Sequence, residues 1–181
     1  MKLTGSQIFV EVLVEQGVDT LFGYPGGAVL NLYDELYKNS DRIRHVLTAH
    51  EQGASHAADA TPAPRAAPAL CWPPAAPVPR TSSPALPQPT WTACRWSLSP
   101  QRRHNTAGQG LFQEAYIEGI TMPITKHNYT VRRVEDLADT MRAAFRIAQS
   151  GRKGPVLVDI PKDITAASCE FTPKLPSSSA P

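Results

Sequence analysis

The sequence lacks the features of secreted and membrane-spanning proteins. Its three cysteines, Cys71, Cys94 and Cys169, form no CxxC pair and no even disulfide framework, which favours a reducing compartment. No apolar run approaches the roughly 20 residues that a helix needs to cross a bilayer. The amino-terminal apolar stretch is interrupted by Glu11 and Glu15, which argues against a signal peptide. These absences predict a cytoplasmic protein that does not enter a membrane.

Acidic residues and lysine are missing from one long window, residues 61–110. Its five arginines contribute +5, whereas the whole chain has a net charge of +2, so the two flanks together carry −3. Weakly acidic flanks give no electrostatic footprint for nucleic acid. The same window holds eleven of the eighteen prolines and all three tryptophans. The composition therefore predicts two ordinary α/β segments, 1–60 and 111–171, separated by this Pro-rich window and followed by a Pro/Ser-rich tail, 172–181.

The amino-terminal flank alternates helical and strand patterns. Apolar residues at helical spacing precede Gly17, which is predicted to end that helix in a left-handed conformation. Asp19–Tyr24 and Ile43–Ala49 are typical of short strands, and helical patterns at Val29–Leu36 and Ala54–Ala58 follow them. The order helix, strand, helix, strand, helix favours a parallel α/β sheet.

The carboxyl-terminal flank continues this pattern. Apolar spacing over Leu137–Ala148 predicts a helix that ends at Gly151. Pro155–Ile160 is almost continuously apolar, which is typical of a strand covered on both faces. Ile120–Thr125 is predicted as a short strand or an extended segment, with the polar residues 126–129 forming its exit.

Two loops follow the predicted strands of the first flank, at the sheet edge where open parallel sheets bind ligands. One is the Gly-rich loop from Tyr24 to Gly27, whose backbone a ligand could approach closely, although it matches neither a Walker loop nor GxGxxG. The other places Glu51 at the start of a helix. A plain turn and a favourable first-turn charge are the alternative interpretations of these two features.

Four segments resemble one enzyme family, and they occur in its order: FGYPGGAVLNLYDELY, IRHVLTAHEQGASHAADA, LFQEAYIEGITMPITKHNY and SGRKGPVLVDIPKDI. They are similar to the amino-terminal, pyrimidine-binding domain of the acetolactate synthase (acetohydroxyacid synthase) family of large catalytic subunits, which are thiamine-diphosphate enzymes. The last two segments are the more specific. The fold implied is a doubly wound α/β domain with a parallel sheet, whose centre the Pro-rich window would disrupt.

The resemblance gives Glu51 a chemical role. In the family, the matching glutamate hydrogen-bonds N1′ of the cofactor's aminopyrimidine and favours its imino tautomer, which requires an acid with a raised pKa in a dry pocket. Thiamine diphosphate then acts as the electron sink while pyruvate loses carbon dioxide and the remaining two-carbon unit joins a second 2-keto acid. This reaction begins the synthesis of valine, leucine and isoleucine.

The resemblance also implies a set of binding residues, each with an alternative as a core or solvated turn residue. These are Tyr24, Pro25, Gly26 and Gly27 for thiamine diphosphate, Arg152 for FAD, and Phe112, Gln113 and Lys162 near the substrate entrance.

The family implies further components that this sequence does not show. The GDG motif that binds Mg²⁺ and the diphosphate is absent, so no metal ligand is predicted here. The family enzyme is a homo-oligomer with a small regulatory subunit, and its cofactor lies between domains of two subunits. The chain is therefore expected to carry half a site and to be inactive alone. Alternatives are another thiamine-diphosphate carboligase or decarboxylase, a non-catalytic regulatory fragment, or a Pro-rich interaction module.

A reading-frame shift explains the Pro-rich window. GC-rich codons for the family sequence SGPGATNLVTGIA, read one base later, give Ala75–Pro87, and AYMDSVPLVA treated likewise gives Pro89–Leu98. The frame is lost at Ala60 and regained between 108 and 111. A Pro-rich linker or polyproline ligand is the alternative. We expect the window to be disordered, to form no central strand, and to leave the flanking strands without partners.

Overall fold

The computed structural model describes residues 1–59, 117–152 and 154–174, together with one strand inside the Pro-rich window. Short 3₁₀ turns lie at Gly27–Val29 and Met122–Ile124. The longer elements, in chain order, are β1 (Lys2–Thr4), α1 (Gly5–Glu15), β2 (Thr20–Gly23), α2 (Leu30–Lys38), β3 (Arg44–Leu47), α3 (Glu51–Asp59), β4 (Cys94–Ser97), α4 (Ile117–Thr121), β5 (His127–Thr130), α5 (Val134–Gln149), β6 (Val156–Asp159), α6 (Lys162–Ala166) and β7 (Ser168–Glu170).

The described strands form two parallel sheets and one antiparallel pair. β2 and β3 are parallel, in a register that runs from Thr20 opposite Arg44 to Gly23 opposite Leu47. The second sheet has the order β4-β6-β5, also parallel, with β6 in the centre. β1 and β7 pair antiparallel. Helices alternate with parallel strands, which confirms the α/β class.

Helix α1 begins and ends with defined caps. The Thr4 hydroxyl accepts from the Gln7 amide, and the Gln7 side chain accepts from the Thr4 amide, which together make a capping box. At the other end Gly17 has φ of 73°, as its sequence position predicts. The amide of Val18 bonds the carbonyl of Leu13 at 3.0 Å, which completes a Schellman motif.

The core lies between α1, α5 and β6. The predicted apolar stripe of α5 is buried, including Leu137 and Met141, each fully inaccessible. All four residues of β6 are buried, as expected for a strand covered on both faces. Phe9 on α1 belongs to the same buried cluster and is 1 % exposed. Among the described helices, none combines the length and hydrophobicity that a bilayer crossing requires.

The start of α1 packs closely on α6. A Cβ atom at Gly5 would overlap the backbone carbonyl of Ile164, so only glycine permits this approach. Ile164 and Thr165 are both buried, and the Gly5 amide donates to the carbonyl of Ala167 at 2.8 Å. α6 is consequently held in place although it has only five residues.

One predicted strand is wrong. Ile120–Thr125 is not extended, because α4 covers its beginning and a 3₁₀ turn with Pro123 in its first positions covers its centre. The strand is instead β5, which overlaps the segment 126–129 predicted as a polar exit. β5 is bordered by β6 on one side, and its residues are exposed or half-buried. A strand in this position tolerates polar side chains, so its sequence lacks the apolar pattern from which a strand is predicted.

The expectation that the whole Pro-rich window is disordered is wrong at Cys94–Ser97, although β4 lies at the edge of the described sheet and not at its centre. These four residues form β4 and pair with β6, because they include no proline and every backbone amide is available. The flanking strands β2, β3, β5 and β6 also have partners, contrary to expectation. The remaining residues of 61–110, and the tail beyond Lys174, lie outside the described part of the chain.

Candidate functional site

Two of the predicted loops leave the same edge of the β2–β3 sheet. Because the strands are parallel and Gly23 lies opposite Leu47, their carboxyl ends are adjacent. The amide of Thr48 extends this pairing by donating to the carbonyl of Gly23 at 3.0 Å. The Gly-rich loop after β2 and the start of α3 at Glu51 are thereby brought to one place, at the strand ends where parallel sheets bind ligands.

The Gly-rich loop presents its backbone to the exterior. Tyr24 is 39 % exposed, and Pro25 and Gly27 are also exposed. Gly26 is fully extended, and its carbonyl accepts from the Val29 amide at 3.0 Å, which starts the 3₁₀ turn into α2. A Cβ atom at Gly27 would meet no described atom within 4 Å, so the described residues leave this backbone open.

Lys162 reaches this loop from the other sheet. It is the first residue of α6, separated from the end of β6 by two residues, and its Nζ donates to the Gly27 carbonyl at 3.1 Å. The Asn31 side chain on α2 adds a second link by donating to the Thr165 hydroxyl at 3.1 Å. A residue predicted near the substrate and the loop predicted near the cofactor are therefore in direct contact.

His45 lies at the base of the loop, and it was not among the residues predicted from the sequence. Its Nε2 is 3.1 Å from the Tyr33 hydroxyl, and the two rings meet edge to face at 4.9 Å. Burial lowers the pKa of His45, and its hydrogen bond to the Gly23 backbone partly offsets that effect. No local sequence signal singled out His45, because Arg44 precedes it in β3 and its contact with Tyr33 joins two separate elements.

α3 begins at Glu51 and rests on β2. Ala58 on α3 is buried against Phe22, and Ala54 is also buried. The amide of Ala54 donates to the carbonyl of His50 at 3.2 Å, in the first turn. The helix therefore starts at the strand edge, where the dipole of a helix amino terminus favours negative charge.

The described part of this edge has features that suit a polar ring. Among the described residues, the buried hydroxyl oxygen of Thr48 has no hydrogen-bond partner. This side chain, directly after β3, can therefore still form a hydrogen bond with a ligand. Together with the open Gly27 backbone, this hydroxyl is compatible with binding of the polar aminopyrimidine half of thiamine diphosphate. No group of three His, Cys, Asp or Glu in the described ranges could hold a metal ion.

The other predicted residues are not brought to this edge. Arg152 is exposed in the turn before β6, next to Gly151 with φ of 51°, whereas Lys162 follows the same strand. Arg152 and Lys162 thus belong to opposite ends of β6. Phe112 and Gln113 lie outside the described residues.

The chain is similar to known thiamine-dependent proteins. Residues 3–77 match the family model "Thiamine pyrophosphate enzyme, N-terminal TPP binding domain". The chain is 45 % identical over 179 residues to the acetolactate synthase large subunit IlvB1 of Mycobacterium tuberculosis, covering 94 % of this chain and 28 % of that protein. It is 40 % identical over 171 residues to the acetolactate synthase isozyme 1 large subunit of Escherichia coli, covering 94 % and 30 %.

A eukaryotic relative gives the same result. The mitochondrial catalytic subunit of acetolactate synthase from Saccharomyces cerevisiae is 43 % identical over 173 residues, covering 91 % of this chain and 24 % of that protein. The chain therefore spans less than a third of the length of these relatives.

Proposed function

This chain belongs to the thiamine pyrophosphate enzyme family, and from that premise we propose that it supplies the pyrimidine-binding half of an acetolactate synthase cofactor site. The observation that carries the proposal is the convergence of the Gly-rich loop and the start of α3 on one sheet edge, set by the parallel register of β2 and β3. In the complete enzyme the substrates would be pyruvate and a second 2-keto acid.

Individual residues take distinct tasks in this proposal. Glu51 would hydrogen-bond N1′ of the aminopyrimidine and hold the proton there. Tyr24, Pro25, Gly26 and Gly27 would line the ring, and the open backbone at Gly27 supports this role. When bound, thiamine diphosphate supplies an electron sink for decarboxylation and carbon–carbon bond formation.

The remaining components of the reaction belong to the complete enzyme rather than to this edge. We propose that Mg²⁺ and the diphosphate are held by a second domain from another copy of the large subunit. FAD would contact the chain at Arg152, whose exposure in the turn before β6 makes such a contact possible. A small regulatory subunit and a cytoplasmic location complete the proposal, and the chain alone is expected to be inactive.

The Pro-rich window is proposed to result from a shifted reading frame. In that alignment Cys94–Ser97 replaces the family residues VPLV, and this is the stretch that forms β4. Sequencing the gene tests the idea. Compensating one-base differences from an intact relative, near codons 60 and 108–111, are expected, and a gene without them would refute it.

Calorimetric titration of the purified chain with thiamine diphosphate and Mg²⁺ tests the proposed function. We expect saturable binding that Glu51→Gln weakens by about 10-fold or more, because a hydrogen bond to a charged group contributes about 1.5–3 kcal/mol. Glu135→Gln is the matched control, since Glu135 is also a first-turn glutamate but lies on α5, away from the site.

Two results would overturn the proposal. One is a folded chain that does not bind thiamine diphosphate. The other is equal weakening by the Glu51 and Glu135 substitutions. Release of carbon dioxide from pyruvate by the chain alone would instead contradict the expectation that it is inactive.

A further inference from the structure

Two lysines in the described part of the chain bond to backbone carbonyls far away in the sequence. Lys126 Nζ donates to the carbonyls of Ile147 and Ser150 at 2.5 and 2.6 Å. These carbonyls belong to the end of α5, where a cation is favourable, so the helix itself explains this contact. Lys162 Nζ donates to the carbonyl of Gly27 at 3.1 Å, in a loop 135 residues earlier.

The position of Lys162 is not explained by its own helix. It is the first residue of α6, where a cation faces the positive end of the helix dipole. The dipole of α6 therefore does not stabilise the Lys162 ammonium, whereas its hydrogen bond to the Gly27 carbonyl does. One of the three ammonium donors is committed to the loop in this way.

α6 is a suitable anchor for the loop. The contact at Gly5 and the burial of Ile164 and Thr165 fix the helix against α1. The Thr165 hydroxyl donates to the carbonyl of Lys162 at 2.6 Å, which fixes the first turn. The exposed loop carrying Gly27, by contrast, depends on its attachments for its position.

We propose that Lys162 is a positioning residue, which ties Gly27 to α6 and thereby sets the distance between the Gly-rich backbone and the edge at Glu51. This inference rests on the proposed function, because the space so defined is the one assigned to the aminopyrimidine ring. It differs from the role implied by family resemblance, since Lys162 acts through the loop.

Amide hydrogen exchange on the full chain tests the tether directly. The Val29 amide, bonded to Gly26 at 3.0 Å, reports on the loop, and the Ser150 amide, bonded to Arg146 at 3.0 Å, reports on the end of α5. Lys162→Met should accelerate Val29 exchange by about 2- to 10-fold and leave Ser150 unchanged. Lys126→Met should do the reverse, and Lys162→Arg, which keeps a donor, should restore slow exchange at Val29.

Cofactor affinity provides the second measurement. Lys162→Met should weaken thiamine diphosphate binding by about 2- to 10-fold at unchanged melting temperature, whereas Lys126→Met should leave the affinity unchanged. Unchanged Val29 exchange in Lys162→Met overturns the tether. Unchanged affinity together with faster exchange overturns the positioning role. If the unsubstituted chain binds no cofactor, the proposed function fails, while Val29 exchange still decides whether the tether exists.

Discussion

The region around α1, α5 and β6 and the region around β2, β3 and α3 differ in how they are held. In the first, large apolar residues such as Phe9, Leu137 and Met141 are essentially inaccessible, and β6 is buried throughout. In the second, which carries the candidate site, Leu47 is 64 % exposed, and the described packing of α3 on β2 joins Ala58 to Phe22. Leu21 on β2 belongs to the main core, so the difference concerns the end of β3 and helix α3, whose described packing buries smaller side chains than that of α5 and β6.

A pair of matched truncations gives the largest expected effect and tests that difference. Phe9→Ala should lower the free energy of unfolding by about 3–5 kcal/mol, because it leaves a cavity among closely packed side chains. Phe22→Ala should cost about 1 kcal/mol, since Phe22 is only half-buried. Urea unfolding followed by circular dichroism measures both. Equal losses would show that the two regions are equally well packed.

An ion pair within the better-packed region gives the next effect. Arg142 donates to both carboxylate oxygens of Glu15 at 2.9 Å, and the two side chains are 14 % and 9 % exposed. Burial lowers the pKa of Arg142, but its bonds to Glu15 and Asp139 outweigh burial and raise it above its usual value. Glu15→Gln should therefore destabilise the fold by about 1.5–3 kcal/mol in urea unfolding.

Asp139→Asn is the control for this pair. Asp139 also contacts Arg142, at 3.0 Å, but is 71 % exposed. Its contribution should stay below about 1 kcal/mol, because water screens exposed pairs. A larger loss for Asp139→Asn than for Glu15→Gln would contradict the assignment of the buried contact as the stronger one.

The smallest expected effect is a pH dependence in the site region. Burial lowers the pKa of His45 below the 6.5 of the unfolded chain, so the unfolded state binds its proton first as pH falls. The contribution of neutral His45 to stability is complete above pH 6.5 and declines as pH falls through the lower, folded-state pKa. Unfolding free energies at about pH 7.5, 6.5 and 5.5 should decline more steeply for the unsubstituted chain than for His45→Gln. Equal pH dependence of the unfolding free energy in the two proteins would exclude a contribution of His45.

Periodic and local signals predicted much of the fold. The helix at α5 follows from its apolar spacing, β6 from its continuous apolar run, and the end of α1 from Gly17, because each depends on residues close in sequence. β5 was missed because an edge strand tolerates polar residues, and β4 because proline-rich surroundings obscured a four-residue stretch that contains none.

The site was predictable in its loops but not in its connections. The Gly-rich loop and Glu51 follow from strand order, since parallel strands end at a common edge. The contact between Lys162 and Gly27, and that between His45 and Tyr33, depend on tertiary packing between separate elements. Such pairs carry no periodicity, so one sequence could not reveal them.

The pairing of β1 with β7 has a consequence for folding kinetics and for tolerance to altered sequence. Lys2 lies opposite Glu170, so this ladder closes a loop that contains the whole Pro-rich window. Loop-closure entropy rises only with the logarithm of length, by about 0.6 kcal/mol for each doubling. The Pro-rich window therefore affects the free energy of loop closure mainly through its length. The β1–β7 contact joins residues far apart in sequence, so it is slow to form. Two flanks joined in this way can therefore pair across a long intervening segment, at the expense of folding speed.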